Sequence, residues 1–216
     1  MRTQHHQPPV DTVVFDLGNV LIRWNPRNLY RKLFGADVRA METFLSEVCN
    51  SAWNEEQDRG RTWQAGVAEA IARHPAQETF IRAYQERWEE TLDGAIEETV
   101  EILDELHGKG VRLLALTNWS AETFPIALER FEFLQRFEGI VVSGVEGLIK
   151  PSPEIFQLLQ SRYDVDSRRA VFIDDHLPNI EGARRMGFHA IQFFNAGQLR
   201  EDLSEFGLID ASDITV

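Results

Sequence analysis

Five short apolar runs constrain this chain more than anything else in it: 10–15 (VDTVVF), 111–117 (VRLLALT), 139–143 (GIVVS), 170–174 (AVFID) and 189–194 (HAIQFF). Each is strand-length and nearly continuous, without the polar alternation of a strand that shows one face to water. Such strands are covered on both faces, so helices must pack on each side of the sheet. Helix-length amphipathic segments lie between the later runs. In 97–110 (EETVEILDELHGKG), Val100, Leu103 and Leu106 share one face, and glycines end the pattern. Segment 120–134 (SAETFPIALERFEFL) opens on Ser120 as candidate N-cap, with Glu122 in the first turn. Segment 152–163 places Ser152 at an N-cap and Pro153 at the first helical position, and segment 177–187 closes on Gly187. Strand and helix in alternation predict an α/β fold: a Rossmann-like parallel sheet flanked by helices, with right-handed crossovers.

Residues 25–93 break that rhythm. NPRNLYRKLF, VRAMETFLSEVCN, RTWQAGVAEAIARH and AQETFIRAYQERWEETL carry helical patterns and no convincing strand. They read as a helical insertion, dividing the chain into a core of 10–24 and 94–216, an inserted module of 25–93, and a polar, disordered lead-in of 1–9. Trp24, Trp53, Trp63 and Trp88 lie in the insertion or at its edge. Large aromatics mostly serve burial, so these predict a small bundle core. One or two of them lining a substrate pocket at the junction is the alternative.

Composition narrows the function classes. The formal net charge of −13 repels phosphate backbones, and no Lys/Arg-rich run opposes it. Nucleic acid and anionic membranes are therefore not expected partners. No apolar run approaches the ~18–20 residues that span a bilayer, and MRTQHHQPP has no apolar signal region. The single cysteine, Cys49, excludes an intrachain disulfide framework and a multi-cysteine metal site, which fits a reducing cytoplasm.

In a parallel sheet, ligands bind beyond the carboxyl ends of the strands. Asp16 follows the first run, and Thr117 and Asn118 end the second. Lys150 lies in the loop after the third; Asp174, Asp175 and, a little later, Asn179 follow the fourth. Singly, each is ordinary turn or capping chemistry. In this order, each at a strand end, they point to one site. An anionic substrate there needs local positive charge from a metal, a lysine or backbone N–H groups.

The pattern FDLGNVL, LLALTN, Lys150 in IKPSPEIF, and VFIDDHLPNIEGARRMG resembles the haloacid dehalogenase-like (HAD) hydrolase superfamily along almost the whole chain. The insertion sits where that superfamily places its helical C1 cap. FDLGNV looks most like the branch of small sugar-phosphate phosphatases. The resemblance implies a phosphomonoester hydrolase acting on a small phosphorylated metabolite, a sugar phosphate among the candidates. Asp16 would be the nucleophile, forming an aspartyl-phosphate. Mg²⁺ would be held by Asp16, the Gly18 carbonyl and Asp175, with Asp174 reaching it directly or through water. Thr117 and Asn118 would donate to phosphoryl oxygens, Lys150 would neutralise charge, and Asn179 would orient the acidic pair.

Gly18 departs from the pattern. Phosphatases of the superfamily usually carry a general acid–base aspartate there, a role typically worth ~10²–10⁴-fold. Its absence predicts substrates whose leaving group needs little protonation: anomeric sugar phosphates, acyl phosphates or aryl phosphates. Glu55, Glu56, Asp58 and Arg59 are alternative proton sources from the cap, unless they form a solvated loop. A 2-haloacid dehalogenase also lacks the second carboxylate, but it needs no metal, and adjacent Asp174 and Asp175 near Asp16 would repel each other without a cation. A degenerate phosphometabolite-binding protein is the non-enzymatic alternative.

Overall fold

The computed structural model describes residues 9–210. The disordered lead-in expected over 1–9 lies outside them except for Pro9, as does the end of the expected core beyond 210. The centre of the molecule is a five-stranded sheet in the order β5-β4-β1-β6-β7, formed by β1 (Thr12–Phe15), β4 (Arg112–Thr117), β5 (Gly139–Val142), β6 (Ala170–Asp174) and β7 (His189–Gln192). Every neighbouring pair is parallel. These are the five expected strands, trimmed at their ends. Chain order runs outward from β1 to β4 and β5 on one side, then returns to β6 and β7 on the other. The order therefore reverses at β1, which makes its carboxyl end the crevice where such sheets bind ligands.

Side chains from alternate positions separate into two cores. Val14, Leu114, Leu116 and Phe172 pack under Ile155, Phe156 and Leu159 of α9 (Pro153–Tyr163) and Ile180 and Ala183 of α10 (Leu177–Arg185). Val13, Phe15, Leu113 and Ile173 face α6 (Glu97–Gly108), α11 (Ala196–Glu205) and the insertion. In α6 the buried positions are Thr99, Ile102, Leu103 and Leu106; the expected Val100 is only half-buried, because the contact stripe is turned by about one position.

The insertion contains α1 (Arg27–Phe34), α2 (Val38–Glu47), α3 (Ser51–Asp58), α4 (Trp63–Arg73) and α5 (Glu78–Glu86). Asp37, Asn50 and Thr62 cap α2, α3 and α4 with side-chain acceptors. Trp53, Trp63 and Tyr84 meet ring to ring with centroids 5.3–5.7 Å apart, and Trp88 is buried too. Burial is thus what most of these tryptophans do. Trp24, half-buried, instead lines a cavity of about 520 Å³ with Leu45, Cys49, Asn54 and Tyr84. Cys49 is free and buried, and burial pushes its thiol up to about 12, which makes it inert.

Two expectations need correction. The insertion is not wholly helical at its base: β2 (Ile22–Trp24) and β3 (Leu92–Ala95) pair antiparallel where the chain leaves and rejoins the core. IRW and LDGA are too short for periodicity to reveal them. Ser120 caps a turn rather than the helix itself: its hydroxyl accepts the Glu122 N–H at 3.3 Å, but α7 spans only Phe124–Arg130 and Thr123 precedes it without a side-chain cap bond. Pro125 suits only a first turn, and the Ser120 hydroxyl also accepts the Trp63 indole N–H at 3.1 Å.

Phe156 is fully buried, edge-on to Phe172 at 5.5 Å and tilted against Phe188 at 6.2 Å. Phe156→Ala is expected to cost about 3–5 kcal/mol in urea denaturation; a loss under 1 kcal/mol would show that helix α9 contributes little to the core.

Candidate active site

Parallel register carries Asp16 to the rim. Phe15 aligns with Ala115 on one side and Ile173 on the other, and the Asp16 N–H donates to the Ile173 carbonyl at 2.8 Å. Asp16 thus ends β1 between Thr117 and Asp174, at the ends of the flanking strands. Lys150 comes from the loop after α8 (Ser143–Glu146), with its side chain fully buried. Its ammonium lies 3.0 Å from Asp16 and 2.6 Å from Asp174.

Asp174 is held on every side. It accepts from Lys150, from Asn179 Nδ2 at 3.0 Å on each oxygen, and from the His176 N–H at 2.8 Å. Of the acidic pair, Asn179 touches Asp174 alone. Asp175, more exposed, brings a carboxylate oxygen into the same group, and the ligand atoms of Asp16, Asp174 and Asp175 all lie within 4.8 Å of one another.

Burial pushes the Asp16 carboxyl up to about 7; Lys150 opposes the rise and Asp174 and Asp175 add to it. Burial and Asp174 likewise raise Asp175. For Lys150, burial works downward, but Asp16 and Asp174 outweigh it and hold the ammonium above its ordinary value. One ammonium therefore faces three carboxylates in a desolvated pocket. Hard oxygen donors this close, with negative charge in excess, fit a divalent cation such as Mg²⁺. Thr117 Oγ1 is buried without a hydrogen-bond partner, a donor free for an anionic guest.

Asn118 behaves differently from expectation. Its side-chain amide donates to the Lys150 carbonyl at 3.1 Å and accepts from the Lys150 N–H at 2.9 Å. That reciprocal pair locks the loop after β4 to the lysine loop and occupies the side chain expected to reach a phosphoryl group. Gly18 lies beside the site, and a Cβ built there meets nothing within 4 Å. Space therefore does not dictate the glycine.

The four charged cap residues separate. Arg59 pairs with Glu55 at 2.8 Å and Glu56 at 3.7 Å, all three well exposed. Asp58 instead turns toward the core: its carboxyl takes a bond from Asn54 at 3.0 Å and faces the Ser120 N–H. Burial, with Glu55 adding, pushes it up to about 7. Trp63, Trp119, Ser120 and Ser143 also meet at this junction; nothing in their residue types or spacing announces it.

A family model for haloacid dehalogenase-like hydrolases matches residues 10–187. The chain belongs to the haloacid dehalogenase-like hydrolases. It is 27% identical over 177 residues to the sesquiterpene phosphatase astK of Aspergillus oryzae, covering 81% of this chain and 85% of that protein. Among solved structures, it resembles the HAD family enzyme bt-2542 of Bacteroides thetaiotaomicron in complex with magnesium and inorganic phosphate (TM-score 0.64, 20% identity, 86% of this chain and 95% of that one). The L-2-haloacid dehalogenase of Xanthobacter autotrophicus has the same fold (TM-score 0.61, 16% identity, 90% and 83%). Some curated relatives are longer, and the chain spans 36% of one and 8% of another. Among the described residues no helix is long and apolar enough to cross a membrane.

Two measurements probe this HAD site. Lys150→Met leaves buried carboxylates unpaired and is expected to lose roughly 3–5 kcal/mol of stability in EDTA; an unchanged urea midpoint would mean that Lys150 does not hold the cluster together. Asp58 binds its proton more tightly in the native state than in the unfolded chain, so the stability that proton supplies is lost as pH rises through about 7. Asp58→Asn is expected to gain in Tm relative to wild type as pH rises from about 4 to about 7; a pH-independent difference would refute it.

Proposed function

We propose that this chain is a Mg²⁺-dependent phosphomonoesterase of small phosphorylated metabolites, with Asp16 as nucleophile. The observation that carries this reading is the acidic trio of Asp16, Asp174 and Asp175 gathered around the buried Lys150. Asp16, Asp175 and the Gly18 carbonyl would hold the ion, with Asp174 behind them. Mg²⁺ would neutralise charge where two anions must meet. Asp16 attacks phosphorus and the ester P–O bond breaks to expel the leaving oxygen; water then attacks the aspartyl-phosphate, releasing orthophosphate and restoring the Asp16 carboxylate. Lys150 steadies the attacking carboxylate and the phosphoryl oxygens, and the free Thr117 hydroxyl donates to one of them. Residues 25–93 form the cap, which opens to admit substrate and closes to exclude water from the core of 10–24 and 94–216. A metal-independent dehalogenase has no use for an acidic pair placed in this way.

Gly18 gives the reading its chemical edge. With no carboxyl there to protonate the leaving oxygen, the substrate's own leaving group carries the burden. Anomeric, acyl and aryl phosphates meet that condition, and a terpenyl phosphate joins the test panel because of the sesquiterpene phosphatase relative.

Hydrolysis of p-nitrophenyl phosphate in Mg²⁺ tests the assignment. Asp16→Asn is expected to lower kcat by at least ~10³-fold, and EDTA to abolish turnover reversibly. Halide release from 2-chloropropionate in EDTA, without phosphatase activity in Mg²⁺, would overturn it. Gly18→Asp fits the open space at that position and is expected to raise kcat/KM on alkyl phosphates by ~10²-fold, with little gain on aryl phosphates. Equal gains on both, or a flat dependence of the wild-type rate on leaving-group pKa, would refute the role given to Gly18.

A further inference from the structure

The loop after β4, whose last residue is Thr117, begins with Asn118 and runs without regular structure to the start of α7. Its near end is tied to the core by the Asn118–Lys150 pair. Its far end is tied to the insertion. Trp63, the first residue of α4 and 1% exposed, donates its indole N–H to Ser120 Oγ at 3.1 Å. In return, the Glu122 carboxylate of the loop accepts the backbone N–H of Trp63 at 2.9 Å. A carboxylate at the first turn of an α-helix also meets the positive end of its dipole. The two bonds are reciprocal: the insertion supplies donors, and the loop supplies a hydroxyl and a charge.

A second strap lies alongside. Ser143 Oγ donates to the Asp58 carbonyl and accepts the Trp119 N–H at 2.9 Å, while the Gly144 N–H donates to the Trp119 carbonyl at 3.1 Å. The fit is tight, since a Cβ on Gly144 would stand 2.5 Å from the Ala121 nitrogen. Withdrawing the insertion would break the bonds that the Trp63 indole N–H, the Ser120 hydroxyl and the Asp58 carbonyl make across the junction.

We propose that Trp63 and Glu122 are positioning residues that fix the far half of this loop, residues 119–122, to the docked cap, so that the ordering of the segment next to Thr117 and Asn118 depends on the cap while those two residues stay anchored by the core. This rests on the phosphatase reading for what the loop binds. Opening the cap then loosens the loop, so that docking and phosphate binding favour each other, as linkage requires. Neither residue acts on the reacting atoms.

The test compares wild type with Trp63→Phe, which keeps an aromatic ring against Trp53 and Tyr84 but removes the indole donor, and with Ser120→Ala, which removes the acceptor. Glu122→Gln and the Trp63→Phe/Ser120→Ala double variant complete the set. Amide hydrogen exchange of residues 118–122 is measured with and without Mg²⁺ plus orthophosphate, alongside p-nitrophenyl phosphate kinetics. Each single variant at Trp63 or Ser120 is expected to speed loop exchange and to lower kcat/KM by about tenfold, the worth of one buried hydrogen bond. The fall should sit in kcat, and the double variant should be no worse than either single one. Glu122→Gln should show a smaller change in the same direction. Unchanged loop exchange with a lowered Tm, or fully additive losses in the double variant, would overturn the proposal; Ser120→Ala decides it alone if Trp63→Phe does not fold. A wild type that hydrolyses no phosphate ester would sink the phosphatase reading, and the exchange comparison would still decide the coupling.

Discussion

The buried ammonium of Lys150 is the interaction on which the site depends. It lies between the ends of β1 and β6, with Asp16 on one side and Asp174 on the other. Carboxylates this close in a desolvated pocket repel one another, and a single lysine does not cancel three of them. The surroundings hold the arrangement in place: Asn179 and the His176 N–H restrain Asp174, and Asn118 fixes the backbone of Lys150 itself. The remaining negative charge is what a divalent cation would offset. A core that stores unfavourable electrostatics at its rim needs the rest of the sheet to be well packed, and both of its faces are.

The site is shared between two layers. The sheet supplies the charged groups, while the helical insertion reaches the adjoining loop through Trp63 and Asp58. The aromatic cluster of Trp53, Trp63 and Tyr84 gives the insertion a core of its own, and the short β2–β3 pair stands where the chain leaves and rejoins the sheet. Trp63 belongs to both systems: its ring packs in the bundle and its indole N–H bonds outside it. One hydrogen bond from this residue thus links the insertion to the loop.

Much of this was legible in residue order. The five strands, α6, α9, α10 and the helical character of 25–93 follow from hydrophobic period and capping residues, which act within one or two turns of chain. The rim residues followed from the rule that parallel sheets bind ligands at strand carboxyl ends. The failures have a common cause. Ser120 looked like the cap of α7 because Ser before a helical pattern usually is one, yet it caps only the preceding turn and shares its hydroxyl with Trp63, far away in sequence. Asn118 looked like a phosphate donor, yet its amide is spent on Lys150. β2 and β3 hold each other in place and carry too few residues to show a period.

By itself, the sequence determined that this chain forms a parallel α/β sheet with a helical insertion and that acidic residues gather at one rim, because periodicity and strand-end chemistry are local properties. Only the tertiary structure decided which partners those groups take. It gave Asn179 to Asp174, left the Thr117 hydroxyl unpaired, left open space at Gly18, turned Asp58 inward while its charged neighbours stayed in solvent, and bound Trp63 to Ser120. A hydrogen bond or an ion pair is settled by distance in space, and strands and helices far apart in the chain set those distances only once they pack.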